Sequence, residues 1–176
     1  MMKKSRIFLF AALLLVLALV LTAVILSNRK TAKTPEDMIP LLRQELGLTK
    51  EDAALSFAGE YTAEENALLW FSMRGGYSVS YWAAECQLLK SGGYRLIKVS
   101  RPMVYARDIV HIIWRAEDAF LINDPNCRTI VYSNGAGTVL SKTELPPDDL
   151  PYVFLLKYPF GASKCDFLDV DGNCIM

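Results

Sequence analysis

Histidine and cysteine are scarce in this 176-residue chain, which contains one histidine and four cysteines. Catalytic and metal-binding sites need several imidazole, thiolate or carboxylate groups held together, and no local spacing in the sequence supplies such a set. A nucleophilic serine motif, a glycine-rich phosphate loop and a zinc motif do not occur either. We therefore predict no catalytic residue, no metal and no cofactor, and we expect that the protein is not an enzyme.

The chain also lacks an excess of either charge. Lys and Arg total 19, Asp and Glu total 19, and the formal net charge is zero. Proteins that bind nucleic acid concentrate cations against the phosphates, so this balance predicts no nucleic-acid partner. With 52% apolar and 22% charged residues the composition is that of a folded chain, and its length fits one ordinary domain.

One long apolar run is present near the N-terminus. Residues 7–26, "IFLFAALLLVLALVLTAVIL", contain no charge and only one polar residue, Thr22. A helix of this length at 1.5 Å per residue spans about 30 Å, the thickness of the bilayer hydrocarbon. No small-x-small cleavage site follows the run, which favours an uncleaved signal anchor. A secreted domain whose anchor is cleaved remains the alternative.

The charges flanking this run do not settle its orientation. Three basic residues lie on each side: Lys3, Lys4 and Arg6 before it, and Arg29, Lys30 and Lys33 after it. Anchors close to the N-terminus usually translocate the domain that follows, and long domains cross largely regardless of charge. We predict a single-pass protein of the cell membrane: a cytoplasmic tail at 1–6, the span at 7–26, a linker at 27–33 and an extracytoplasmic domain at 34–176.

The predicted domain is mainly β (α+β) and begins with one short amphipathic helix. Thr34 can cap this helix, Gly47 can end it, and Pro40 requires either a kink or a later start. After Gly47, short apolar runs rich in aromatic and β-branched residues alternate with turn residues, which predicts an antiparallel β-meander. We interpret "TAEENALLWF" and "SYWAAECQLL" as strands, although a capping box at Thr62 and Glu65 also fits a helix.

Cys127 follows the turn sequence "NDPN" between two apolar runs. Asp, Pro and Asn favour a turn, so we predict a hairpin loop with an unreactive Cys127 at its exit. The alternative function is a membrane-anchored enzyme that uses Cys127 with His111, the only imidazole. Strand alternation instead places His111 on one face with Ile109 and Ile113, as a packed residue with one hydrogen bond.

The C-terminal segment contains a turn sequence, and the pairing of the cysteines is undecided. Asp171 and Gly172 between apolar residues predict a terminal hairpin with a two-residue turn. An extracytoplasmic location would permit disulfides, but the spacing does not decide their pairing. The disulfide status therefore stays open for four cysteines: Cys86, Cys127, Cys165 and Cys174.

The function most compatible with these patterns is binding. We predict an accessory domain that presents a surface to a cell-surface or envelope protein. Recognition residues are commonly held by loops on a rigid scaffold. The main candidate loops are "RPMVYARD" and "TELPPDDLP". Arg, Tyr and Met are enriched at interfaces. The candidate binding surface consists of four residues of the first loop: Arg101, Met103, Tyr105 and Arg107.

Overall fold

A computed structural model describes residues 13–22, 30–49, 54–75, 78–106, 108–146 and 150–175. The fold is mainly β, with antiparallel sheets, as predicted. Residues 13–22 form helix α1, and helix α2 (Ile39–Leu46) follows a 3-10 turn (Glu36–Met38). The strands are β1 (Thr31–Ala32), β2 (Ala54–Ala63), β3 (Asn66–Gly75), β4 (Ser78–Leu88), β5 (Tyr94–Ser100), β6 (Met103–Ala106), β7 (Ile109–Trp114), β8 (Glu117–Ile122), β9 (Thr129–Ser133), β10 (Val139–Glu144), β11 (Tyr152–Leu156) and β12 (Lys164–Leu168).

The N-terminal span is only partly within the described residues. Of the predicted span, residues 7–12 and 23–26 lie outside them, as do the predicted tail at 1–6 and linker residues 27–29. Within the described ranges, no helix is both long enough and apolar enough to cross a bilayer. Two residues of the predicted linker, Thr31 and Ala32, form β1 and pair with the beginning of β5.

Helix α2 has Met38 at its N-cap, without a side-chain hydrogen bond, so the predicted Thr34 cap lies one turn earlier, at the 3-10 segment. The Thr34 hydroxyl accepts a hydrogen bond from the Asp37 backbone N–H, and the Asp37 carboxylate accepts one from the Thr34 N–H, both at 3.2 Å. The α-helix itself starts at Ile39, so Pro40 lies in its first turn, where no backbone donor is needed. Gly47 ends it in the left-handed conformation, with φ of 65°. The later start that Pro40 predicted is confirmed.

Three antiparallel sheets and α2 form four layers. The first sheet has the order β1-β5-β4-β3-β2, the second β11-β8-β7-β6 and the third β10-β9-β12. Helix α2 packs on one face of the first sheet, the second sheet packs on its other face, and the third sheet covers the far face of the second. The second sheet is therefore buried on both faces over much of its area.

Because side chains alternate along a strand, one strand of the first sheet packs against both neighbouring layers. In β3, Leu69 and Phe71 contact the α2 side, whereas Leu68 and Trp70 contact the second sheet. Strands buried on both faces read as continuous apolar runs, as "ALLWF" does. This feature made "TAEENALLWF" ambiguous, and the strand interpretation is confirmed for it and for "SYWAAECQLL".

The predicted single meander is wrong beyond the first sheet. Strands β2 to β5 are consecutive neighbours, but the later strands divide between two further sheets. The hairpin predicted at "NDPN" is also wrong, because β8 belongs to the second sheet and β9 to the third. The turn itself is present: the Asp124 side chain accepts the Asn126 N–H at 2.8 Å, and the Asp124 carbonyl accepts the Cys127 N–H. The turn moves the chain from one layer to the next.

The C-terminal chain reversal has a different register from the predicted one. Asp169 and Asn173 close the turn through backbone hydrogen bonds, and Leu168 bridges Cys174. The Asp169 carboxylate accepts the backbone N–H groups of Asp171 and Asn173, which holds its pKa below the usual range. The reversal is longer than the predicted two-residue Asp-Gly turn. All four cysteines are free thiols.

Candidate functional site

The predicted recognition loop "RPMVYARD" is largely a strand. Met103–Ala106 forms β6, which pairs with β7 and lies at the edge of the second sheet. The loop prediction is wrong for these four residues, whose β-branched and aromatic side chains Val104 and Tyr105 favour a strand. "TELPPDDLP" is corrected in part, since Thr143 and Glu144 end β10. Arg107 and residues 147–149 lie outside the described residues.

Strand β6 exposes apolar side chains. Met103 is 60% exposed, Val104 61% and Tyr105 43%, and neighbouring Ile113 on β7 is 70% exposed. An edge strand with unpaired backbone groups and apolar side chains is a template for another extended chain, and proteins usually protect such edges. The exposed apolar side chains of β6 therefore mark it as a candidate binding surface.

An open cleft of about 580 Å³ adjoins β6. The end of β5 and the connection to β6 contribute to its lining, including Lys98 and Arg101. Met103, His111 and Ile113 line it as well. We call this feature the β6 cleft. Six of its lining residues were not in the predicted surface: Lys98, Ser100, Pro102, His111, Ile112 and Ile113.

A buried hydrogen-bonded cluster lies next to the cleft. His111 Nε2 is 2.7 Å from Asp118 Oδ1, and the Tyr132 hydroxyl donates to Asp118 Oδ2 at 2.6 Å. Asp118 lies on β8 and Tyr132 on β9, so the carboxylate joins the second sheet to the third. Burial and the bond to Asp118 raise the pKa of Tyr132 above its usual value, so its hydroxyl stays a donor.

Only one ring nitrogen of His111, Nε2, forms a hydrogen bond with a described residue. Its Nδ1 is buried and has no hydrogen-bond partner among the described residues. The ring packs against Phe120 at 4.9 Å and against Tyr105 at 5.6 Å between centroids. The prediction of a packed histidine with one hydrogen bond is confirmed. Tyr105 therefore connects the exposed β6 strand with the buried cluster.

Cys127 does not form the pair that a thiol enzyme would need. It is fully buried, and no hydrogen bond joins it to His111, whose Nε2 is engaged by Asp118. Burial, assisted by the Asp124 carboxylate, raises the pKa of the Cys127 thiol from 9.0 to about 11. A thiol nucleophile needs the opposite shift. Within the part of the chain that the structure describes, no group of His, Cys, Asp and Glu could hold a metal ion.

The four thiols are expected to differ strongly in their reactivity. Cys174 is exposed, whereas Cys86 and Cys127 are buried, and burial raises the pKa of Cys86 to about 12. Iodoacetamide near neutral pH should label Cys174 first and reach Cys127 only when the domain unfolds, since labelling requires an accessible thiolate. Peptide mapping after timed labelling measures the order. Labelling of Cys127 as fast as Cys174 would contradict this expectation.

Comparison with protein-family models, with curated proteins and with solved structures finds no match to this chain.

Proposed function

We propose that this protein is a membrane-anchored binding module that presents strand β6 to a protein partner outside the cytoplasm. The observation that carries the proposal is the exposure of Met103, Val104 and Tyr105 on an edge strand beside the β6 cleft. An extended segment of the partner would add a strand to β6, with main-chain hydrogen bonds for affinity and side-chain contacts for specificity.

The geometry favours β6 over other exposed apolar residues. Edge strand β10 also exposes apolar side chains, Val139 at 58% and Leu140 at 39%. Next to β10, however, the cleft is lined mainly by glycine, serine, asparagine and charged residues. The β6 cleft adds Ile112 and Ile113 of β7 to the exposed strand, and apolar contacts beside an open edge suit a peptide ligand.

This difference between the two edges provides a matched pair of variants. Val104→Lys places a charge on β6, and Val139→Lys places the same charge on β10. Partner proteins captured from membranes by the full-length chain should be retained by Val139→Lys. They should be weakened by Val104→Lys by more than about 2 kcal/mol, as expected for a hot spot. Tyr105→Ala and Arg101→Ala should also weaken the captured complex.

Thermal unfolding of each variant checks that the domain remains folded. A photo-crosslinking residue at position 104 identifies which captured protein lies on β6. Equal retention by Val104→Lys and the parent chain, with both folded, would contradict the proposed function.

Membrane anchoring is tested separately. The proposal rests on the absence of charge over residues 7–26 and on their length, which equals about 30 Å of helix. The expressed protein is expected to stay in the membrane fraction after an alkaline carbonate wash. Protease added from outside should digest residues 34–176 of the anchored protein once the domain is unfolded. Recovery of a soluble form that begins near residue 28 would show a cleaved anchor instead.

A further inference from the structure

The lining of the β6 cleft has one sign of charge. Lys98 and Arg101 contribute cations, and the described residues that line the cleft include no carboxylate. Neither cation forms an ion pair with a described residue, although Glu85 lies opposite Lys98 in the β4–β5 ladder. The Arg101 guanidinium lies 5.8 Å from the centre of the Trp82 ring, which orients it without neutralising it. In a chain with no net charge, this local excess is selective for an anion.

His111 adds a second and independent feature. It lines the same cleft, its side chain is 94% buried, and its Nδ1 has no partner among the described residues. A buried polar atom without a partner costs free energy that a bound ligand could recover. When the imidazole carries both protons, Nδ1 is a donor while Nε2 donates to Asp118. A carboxylate that enters the cleft could accept a hydrogen bond from this nitrogen.

We propose that the β6 cleft binds the carboxylate of an aspartate or glutamate side chain in an extended peptide segment that pairs with β6. Lys98 and Arg101 supply the charge, and His111 Nδ1 supplies a hydrogen bond. This inference rests on the proposed function, because the peptide reaches the cleft by lying along β6. A carboxylate fits a cleft that combines two cations with the apolar side chains of Met103 and Ile113, since an acidic residue brings its own methylene groups.

A positional-scanning library of soluble peptides tests the selection. The full-length chain, kept in detergent micelles, should retain peptides with Asp or Glu at one position among apolar and β-branched residues. Replacing the selected acid by its amide should weaken binding about tenfold, the value of one charge-assisted hydrogen bond. In Lys98→Ala/Arg101→Ala the acid should lose most of its advantage over the amide, because only His111 Nδ1 remains to favour it. Arg74→Ala/Lys90→Ala removes two exposed cations elsewhere and should keep the selection.

The single histidine allows ligand binding in the cleft to be observed directly. Because the chain has one histidine, the ring nitrogen signals in a ¹⁵N spectrum are unambiguous. The Nδ1 signal should move when the selected acidic peptide is added and should stay in place with its amide counterpart. This measurement leaves His111 unchanged, which matters because a substitution there would disturb the buried Asp118 cluster.

The outcomes distinguish failure of the carboxylate site from failure of the proposed binding function. Peptides that depend on Val104 but show no preference for an acid would overturn the carboxylate site and leave the binding function standing. A preference for phosphoserine over Asp and Glu would also overturn it, in favour of a phosphopeptide. If Val104→Lys retains every peptide that the parent chain retains, both proposals fail. A static Nδ1 signal with the acidic peptide would remove His111 from the site.

Discussion

Asp118→Ala is expected to lower the free energy of unfolding by about 3–5 kcal/mol, the cost of removing the shared acceptor from a buried hydrogen-bonded cluster. The Asp118 carboxylate accepts hydrogen bonds from both His111 and Tyr132. Its loss leaves two buried polar groups without partners at the boundary between the second and third sheets. Chemical denaturation of the parent chain and the variant measures the difference.

Two companion variants show that polarity, not volume, causes the loss. Tyr132→Phe removes one hydrogen bond and keeps the ring, so it should cost about 1 kcal/mol. A triple variant, Asp118→Leu with His111→Phe and Tyr132→Phe, replaces the whole polar cluster by apolar groups. Such replacements are often close to neutral, and the triple variant should be more stable than Asp118→Ala. A cost below about 1 kcal/mol for Asp118→Ala would show that the cluster is not a joint between the sheets.

Gly59→Ala is expected to destabilise the domain by about 3 kcal/mol, through overpacking and backbone strain together. Gly59 lies at the contact between the first and second sheets, where an added Cβ would be 2.7 Å from Val153 Cγ2. Its φ of 154° adds strain for any residue with a side chain. The sheets must separate locally to admit the methyl group. Equilibrium unfolding in urea gives the free-energy change.

The two causes can be separated with matched variants. Gly137 has a φ of 80° and no atom within 4 Å of an added Cβ, so Gly137→Ala carries backbone strain alone and should cost about 1 kcal/mol. Val153→Ala removes the atom nearest to the new methyl group, so Gly59→Ala should cost less in that background. If Gly59→Ala costs no more than Gly137→Ala, the close contact with Val153 contributes nothing to the loss of stability in Gly59→Ala.

The candidate site was only partly predictable. Arg101, Met103 and Tyr105 were selected from residue type, and the structure places all three around β6. Lys98 was not selected because it belongs to a different sheet and approaches the site only through the stacking of layers. Asp118 and Tyr132 were missed as well. Asp118 at the start of the apolar run "DAFLI" was the available signal, since a buried carboxylate must find donors.

Local chemistry by itself determined the elements of this protein. The Gly47 cap, the turn at Asp124 and the strand-forming runs depend on neighbours a few residues away, so the sequence alone predicts them. Only the tertiary structure decided which sheet each strand joins. The hydrogen-bonding edges of β8 are filled by β7 and β11, so β9 pairs elsewhere. Strand pairing joins residues distant in the chain, and several arrangements would bury similar apolar area. The cleft at β6 and the bond between His111 and Asp118 therefore follow from how the layers stack, which no local pattern records.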